Sequence, residues 1–461
     1  MRFNSMTPVN PREQLIGLGA EKLADALLDL STRSDQARKL VERLLSSPED
    51  SLRYFKAKLA GLKRRERFVG KGEARSYAQE LADFLADIQA VIEDPKTGLE
   101  LVVALFEIDS KILESCDDSY GFMGEIFRFD ATELFTHYAR DIANKSYLSD
   151  LVFKLYQEDE YGVREKLVDQ ASQFLPEETL RFLAQRFWEN AENIDKTTTD
   201  GQCAARHSLF AVESLARQLQ DAPLFEKAAL AIWPDLSPAT CLNIAEVYLE
   251  AQDPGKALHW VKQIPQKTIL EEYRRDKLLL DVYRKINDQE KLAEVAWKMF
   301  RQHKDIDTLE ELLSIIGEHQ REKVIAEASQ EILVTPSFSY SDLSFLLDTN
   351  QIDLAQKYLL ENVTALNGDL YNLMLPLAQR FEKENRLLAA TVIYRELLES
   401  ILSRAQSKYY HHGVRYLKKL EELAPQVSDW QGFPPHELYY QKIAETHARK
   451  KSFWLKYEKG K

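Results

Sequence analysis

The stretch that decides the fold is residues 245–261, AEVYLEAQDPGKALHWV. It holds two short apolar patterns of helical period, separated by Asp253-Pro254-Gly255, three residues that favour a turn. Tyr248 stands late in the first pattern, and Ala257 stands nine residues later, early in the second. Because a small residue opposite a bulky one lets two helices pack closely, the stretch predicts an antiparallel helix hairpin.

The same pairing of a bulky and a small residue recurs through the second half of the chain. Successive bulky positions are 35, 33, 31 and 34 residues apart, and an alanine follows each one after eight to ten residues. The pairs are Tyr248/Ala257, Tyr283/Ala293, Ile316/Ala326, Leu347/Ala355 and Phe381/Ala390. This period is typical of stacked hairpins, in which each hairpin buries its remaining apolar face against the next. The sequence therefore predicts an all-α fold, an α-solenoid of antiparallel helix hairpins, whose C-terminal half resembles tetratricopeptide repeats without their full consensus.

Composition supports a helical fold. Of 461 residues only 16 are Gly and 15 are Pro, too few for a turn-rich all-β protein. The longest nearly unbroken apolar run, Leu99 to Phe106, is far shorter than the roughly 18 residues that span a bilayer, so no membrane association is predicted. The cysteines Cys116, Cys203 and Cys241 form no CxxC pair and suit a reducing cytoplasm.

Four segments are predicted along the chain. Residues 1–192 form an N-terminal helical domain, in which Leu40, Leu44 and Leu45 are one of several apolar stripes. Residues 193–201, with three threonines and an Asp-Gly, form a linker. The tetratricopeptide-like repeats occupy residues 202–403, and a basic, aromatic-rich helical cap occupies residues 404–461.

Charge is distributed unevenly. Residues 1–75 and residues 404–461 each carry a net +6 within a total of −13, so the middle of the chain is strongly acidic. The most basic piece runs from Arg53 to Arg75, and its apolar residues recur at helical spacing, which predicts an amphipathic helix with a cationic face. Its candidate contact residues are Arg53, Lys56, Lys63, Arg64, Arg65, Arg67 and Lys71. Two interpretations remain open: a contact surface for an acidic partner or for phosphates, or a solvated face balanced by the acidic body.

A second basic candidate lies near the C-terminus. Arg449, Lys450 and Lys451 stand among many aromatic residues of the last fifty positions. Such a mixture serves in some proteins to stack single-stranded bases beside phosphate-binding lysines, and in others to pack a terminal helical cap. Both uses are compatible with the sequence.

Known catalytic and cofactor motifs are missing from the sequence. There is no GxxxxGK[ST] loop, no GxSxG elbow and no HExxH pair, since His436-Glu437 is followed by Leu438-Tyr439-Tyr440. The adjacent Asp117 and Asp118 offer too few oxygens for a divalent cation, so helix capping by Asp118 or Ser119 is the preferred interpretation. The sequence therefore predicts no cofactor, no metal and no catalysis.

Two stretches carry a family resemblance. Phe68-Val69-Gly70-Lys71-Gly72-Glu73-Ala74-Arg75 and residues 116–128, CDDSYGFMGEIFR, resemble an uncharacterised bacterial family of helical proteins, domain of unknown function 6880. The stretches 409–423 and 447–454 are similar to the helical C-terminal region of SWIM zinc-finger proteins. The finger itself, with its Cys-x-Cys and Cys-x-His ligands, is absent from the sequence. The resemblance implies a helical fold and supplies no catalytic residue.

These observations predict a non-catalytic scaffold that binds a protein partner through the surface of stacked helices, with separate contacts at the basic ends. The alternative is a nucleic-acid-associated protein that uses the basic stretch 53–75 and the C-terminal cations. The sequence specifies neither the partner nor the oligomeric state.

Overall fold

The computed structural model describes residues 10–34, 37–38, 41, 45, 47–264 and 271–459. The chain divides into two compact units, the first ending at Gln263 and the second beginning at Ile264. Leu40 and Leu44 of the predicted N-terminal stripe lie outside the described residues, whereas Leu45 is exposed. Among the described residues, no helix is apolar over enough of its length to cross a bilayer.

The first unit is built from helices joined mostly by short turns. In chain order they are α1 (Pro11–Gly17), α2 (Ala20–Arg33), α3 (Pro48–Lys63), α4 (Ala74–Val91), α5 (Pro95–Phe106), α6 (Asp109–Glu114), α7 (Phe122–Glu125), a π-helical turn (Ile126–Ala131), α8 (Thr132–Ala139), α9 (Lys145–Gln157), α10 (Glu165–Asp169), a 3-10 turn (Ala171–Gln173), α11 (Glu177–Asn193), α12 (Thr199–Gln218), α13 (Ala222–Ile232), α14 (Pro238–Glu250) and α15 (Pro254–Val261). From α11 onward each helix packs on the next, and α9 and α10 also pack on α11 and α12.

The second unit continues in the same manner. Its helices are α16 (Glu272–Ile286), α17 (Gln289–His303), α18 (Ile306–Ile316), a 3-10 turn (Glu318–Gln320), α19 (Arg321–Val334), α20 (Tyr340–Asp348), α21 (Ile352–Glu361), a 3-10 turn (Val363–Ala365), α22 (Tyr371–Lys383), α23 (Leu387–Arg404), a 3-10 turn (Ser407–Tyr409), α24 (Tyr410–Leu423), a 3-10 turn (Ala424–Gln426), α25 (His436–Thr446) and α26 (Lys451–Lys459). Helices two apart in the chain also touch, as α19 does with α21 and α21 with α23. Contacts between neighbours and next neighbours are what stacked hairpins produce, and the predicted α-solenoid class is confirmed.

The predicted repeat turns share one backbone geometry. In four of the five repeats a left-handed residue ends the first helix, and the next N–H donates to a carbonyl five residues back. The left-handed residues are Gln252, Asn287, Asn350 and Asn385. The bonds are Asp253 N to Tyr248 O (2.8 Å), Asp288 N to Tyr283 O (3.0 Å), Gln351 N to Leu346 O (2.7 Å) and Arg386 N to Phe381 O (2.8 Å). Asparagine tolerates this conformation better than most residues, which explains its use at three of these positions.

One repeat departs from the predicted pattern, and one hairpin was missed. After α18 the chain passes through Gly317 and a 3-10 turn, so Ala328 is the buried alanine of α19 and the predicted Ala326 is exposed. Ala257, Ala355 and Ala390 are fully buried as predicted, and Ala293 is half-buried.

The α12–α13 turn repeats the same geometry, with Gln220 left-handed and Asp221 N donating to Ala216 O at 2.9 Å. The pairing of a bulky and a small residue did not predict this hairpin, because Ala216 stands where the other hairpins have a bulky residue.

Residues 193–201, predicted as a linker, connect two helices that pack on each other inside the first unit. Thr198 caps α12 by accepting from Gly201 N at 3.1 Å. A Cβ at Gly201 would lie 1.8 Å from the carbonyl oxygen of Asp195, so this turn requires glycine. The chain here makes a tight helix-to-helix turn.

Candidate interaction surface

The basic stretch 53–75 divides into a helix and a turn. The predicted apolar stripe is present in α3, where Phe55 and Leu59 are buried and Leu52 and Leu62 are half-buried. The helix ends at Lys63, however, and residues 64–73 form an irregular segment before α4. The prediction of a helix through the whole stretch was therefore wrong for its second half. Gly70 and Gly72 disfavour helix there, and Val69 pairs elsewhere.

Val69 holds this turn against the segment that precedes α7. Its N–H donates to Ser115 O at 2.8 Å, and its carbonyl accepts from Asp117 N at 2.9 Å. These bonds form an isolated parallel bridge between Val69 and Cys116, both of which are buried. Burial, together with the negative charges of Asp118 and Asp117, raises the pKa of the Cys116 thiol, which keeps it protonated and unreactive. The two stretches that carry the family resemblance are thus in contact.

Asp118 caps α7. Its carboxylate accepts from Met123 N at 2.8 Å and from Gly124 N at 2.9 Å. Hydrogen bonds from the Ser119 side chain and backbone lower the pKa of the neighbouring Asp117. The capping interpretation is confirmed for Asp118, and the acidic pair serves to fix this turn.

The predicted basic residues have different surroundings. Arg53 pairs with Asp50 at 3.1 Å, and Arg67 pairs with Glu73 at 3.0 Å. The Arg65 guanidinium lies 4.1 Å from the centre of the Tyr77 ring. The remaining side chains of α3 and its end, Lys56, Lys63 and Arg64, are exposed.

Two exposed aromatic residues accompany these cations. Lys71 Nζ lies 4.4 Å from the centre of the Tyr120 ring, and Tyr120 is 64% exposed. Phe68, next to the bridging Val69, is 59% exposed. We refer to Arg64, Arg67, Phe68, Lys71 and Tyr120 as the basic-aromatic surface. Charge counting found its cations but not its aromatic residues, although an aromatic residue in a polar turn such as Asp-Asp-Ser-Tyr-Gly is a recognisable signal.

The C-terminal candidates belong to the second unit. Arg449, Lys450 and Lys451 lie at the turn between α25 and α26, where Arg449 and Lys451 are exposed and Lys450 is half-buried. Around them, Trp454 Nε1 donates to the carbonyl of His447 at 3.0 Å. Five aromatic residues of the C-terminal region are buried in the core of this unit: Tyr410, Tyr416, Tyr439, Phe453 and Tyr457. For these five residues the structure agrees with the packing interpretation.

The fold is that of an all-α helix-repeat protein, and its first unit carries a basic, aromatic patch of exposed side chains. The chain belongs to a family of unknown function (DUF6880), whose model matches residues 4–456. No curated protein matches the sequence. Among solved structures, it is similar to a chain described as a circular tandem repeat protein with novel repeat topology and enhanced subunit contact surfaces, at 12% identity and a TM-score of 0.14, with 94% of this chain and 95% of that one covered. That likeness supports no statement about function.

Proposed function

We propose that this protein is a non-catalytic helical-repeat scaffold, and that its basic-aromatic surface binds an acidic segment of a protein partner. The observation that carries the proposal is the exposure of Phe68 and Tyr120 on two bridged segments, with Lys71 Nζ 4.4 Å from the centre of the Tyr120 ring. Aromatic residues and arginine are enriched at protein interfaces, and a few such anchors provide most of the binding energy. The backbone bonds of Val69 hold the patch in place, which lowers the entropic cost of binding.

Nucleic acid is the second candidate, since exposed rings beside cations also suit stacking on single-stranded bases. Two features favour the protein partner. Arg53 and Arg67 are already paired with carboxylates, and Asp117 and Glu66 add negative charge close to the turn. A phosphate backbone requires a more uniformly basic surface.

Comparative affinity capture from the native host tests the proposal. The double variant Phe68→Ala/Tyr120→Ala removes both rings, and Phe182→Ala removes a comparably exposed ring from α11 of the same unit as a control. We expect one set of proteins to be retained by the parent chain and by Phe182→Ala, and lost from the double variant. Equal recovery by all three chains would refute the assignment of this surface.

Fluorescence anisotropy with a labelled single-stranded oligonucleotide tests the alternative. If nucleic acid is the partner, the logarithm of the affinity falls with the logarithm of salt concentration, with a slope of about −0.7 per phosphate neutralised. Charge reversal at Arg64 and Lys71 would then abolish binding. Tight, salt-dependent binding of this kind would replace the protein-partner proposal.

Three finer expectations belong to this proposal. A cytoplasmic location is supported by three free cysteines, one of them exposed at Cys203. The bacterial origin and the SWIM-like C-terminal region rest on the sequence resemblance alone.

A further inference from the structure

The second unit contains a pocket that the proposed function does not use. It has a volume of about 420 Å³ and lies between α22, α23 and the start of α24. Its lining residues are Gly368, Tyr371, Leu375, Leu397, Ile401, Arg404, Gln406, Tyr409, His412, Arg415 and Tyr416. Concave sites of this size, with an apolar wall and a few convergent polar groups, are the usual form of small-molecule sites.

The wall of the pocket combines buried apolar side chains with tyrosine rings. Leu397 and Ile401 of α23 are buried and form an apolar face. Tyr416 is also buried, while Tyr371 and Tyr409 are exposed. A ligand with a flat or chain-like apolar body would cover the apolar face and contact these rings.

The pocket carries one positive charge that lacks a counter-ion. Arg404 is paired with Asp369 at 3.2 Å, so its charge is largely neutralised. Arg415 instead donates from Nη2 to His412 Nδ1 at 3.1 Å and also hydrogen-bonds to Tyr416, both neutral partners. Among the described residues, none forms an ion pair with Arg415.

The same hydrogen bond fixes the proton on His412. A guanidinium only donates, so Nδ1 of His412 accepts and the ring proton stands on Nε2, where it can serve as a second donor. Burial, with the nearby charges of His411 and Arg415, lowers the pKa of His412 and keeps the ring neutral at physiological pH. The positive charge of the site is therefore the one on Arg415.

We propose that this pocket binds a small monoanion with an apolar body, such as an aromatic or aliphatic carboxylate or sulfonate. The anionic group pairs with Arg415, and the body lies against Leu397, Ile401 and the tyrosine rings. The site lies in the second unit, whereas the basic-aromatic surface lies in the first. A negative result for one proposal therefore leaves the other unaffected.

A matched pair of fluorescent probes tests the proposal on the full chain. Anilinonaphthalene sulfonate has an aromatic body and one negative charge, whereas N-phenyl-1-naphthylamine has the same body without the charge. We expect the sulfonate to bind, Arg415→Gln to weaken its binding about tenfold, and Arg404→Gln to weaken it less because Asp369 already neutralises that side chain. Binding of the neutral probe should not change in Arg415→Gln. Arg301→Gln, an exposed arginine of α17, is the control and should leave both affinities unchanged.

Three results would overturn the proposal. The first is that the sulfonate does not bind, and the second is that it binds Arg415→Gln and the parent chain equally. The third is that Arg415→Gln weakens both probes to the same extent, because that would show a change in pocket shape rather than the loss of an anion contact. Since Arg415 is exposed, its replacement leaves the core of the unit intact.

Discussion

Both units of this protein bury arginine side chains, and Arg164 of the first unit and Arg395 of the second are stabilised in different ways. In the first unit Arg164 is 3% exposed and forms a two-pronged pair with Asp109, with Nε to Oδ2 at 2.6 Å and Nη2 to Oδ1 at 2.7 Å. It also donates to the carbonyls of Phe106 and Leu155. Burial lowers the pKa of Arg164, but the hydrogen bonds and charge of Asp109 outweigh that effect and leave it raised.

In the second unit Arg395 is 6% exposed, and its Nε and Nη2 have no hydrogen-bond partner. Its guanidinium lies 4.3 Å from the centre of the Tyr439 ring and 4.8 Å from that of Trp430. Burial lowers the pKa of Arg395, although an arginine remains protonated in proteins. An arginine that cannot lose its charge must therefore be paired with a carboxylate or covered by aromatic rings.

Glu213 shows a third way to accommodate a buried charged group, which is possible only for a side chain that can change its protonation. It lies half-buried in α12, and burial raises its pKa to about 7, against a weaker opposing effect of Arg217. Arg217 itself is paired with Glu246 and Glu250. A partly buried carboxylate with too little compensation therefore takes up a proton at a higher pH than an exposed one.

The largest loss of unfolding free energy is expected when the buried pair of Asp109 and Arg164 is broken. Asp109→Asn leaves the buried Arg164 charge without its counter-ion, and breaking such a pair costs about 3–5 kcal/mol of unfolding free energy. Urea titration followed by circular dichroism measures the loss. Glu107→Gln is the control: it removes an exposed partner of Lys154 next to the same helix and should change stability little.

A further variant separates the charge from the shape of this site. Asp109→Leu/Arg164→Met removes both charges and should recover most of the stability that Asp109→Asn loses. If the double variant is as unstable as the single one, the ion pair is not the source of the effect and the carbonyl bonds of Arg164 are more important.

The sequence predicts interactions between residues that are close together in the chain better than interactions between residues that are far apart. The hairpin array was predictable because Tyr248 and Ala257, and the turn between them, lie within a few residues of each other. Asp109 and Arg164 are 55 residues apart, and no periodicity links them. The fold class therefore followed from the sequence, whereas the buried pairs required the structure.

The basic-aromatic surface was likewise predictable from the sequence only in part. Charge counting identified Arg64, Arg67 and Lys71, and the resemblance marked the two stretches that contain Phe68, Lys71 and Tyr120. The bridge between Val69 and Cys116, which brings the two stretches together, joins segments far apart in the sequence and could not be predicted. The exposure of Phe68 could not be predicted either, since a helical pattern assigns most aromatic residues to the core, whereas the polar turn around Tyr120 offered a signal that charge counting did not use.

A smaller effect, which depends on pH, is expected at Glu213. Its folded pKa, about 7, lies above the ordinary glutamate value of 4.5, so the folded chain holds an extra proton between these two pH values. The contribution of Glu213 to stability is complete below about pH 4.5 and decreases as the pH rises through 7. At about 1.4 kcal/mol per unit of pKa, the decrease is at most about 3.5 kcal/mol.

Glu213→Gln removes this titration. We expect the variant and the parent chain to have similar unfolding free energies near pH 4.5, and the variant to be the more stable of the two above pH 7. Urea titrations across this pH range measure the difference. Parallel stability curves would show that Glu213 is ionised in the folded chain.

The smallest effect is expected at Arg395, and it is the most direct test of the comparison. Arg395→Met keeps a long side chain between Trp430 and Tyr439, losing a cation–π contribution of about 0.5–2 kcal/mol but also the cost of burying an unpaired charge. Because these terms oppose each other, the unfolding free energy should change by less than about 1 kcal/mol. Arg164→Met, in contrast, leaves Asp109 buried without its partner and should cost about 3–5 kcal/mol. Urea titration of the two variants, followed by circular dichroism, measures both changes. Equal losses in the two variants would mean that Arg395 depends on a counter-ion as Arg164 does, and that aromatic rings alone do not stabilise a buried arginine.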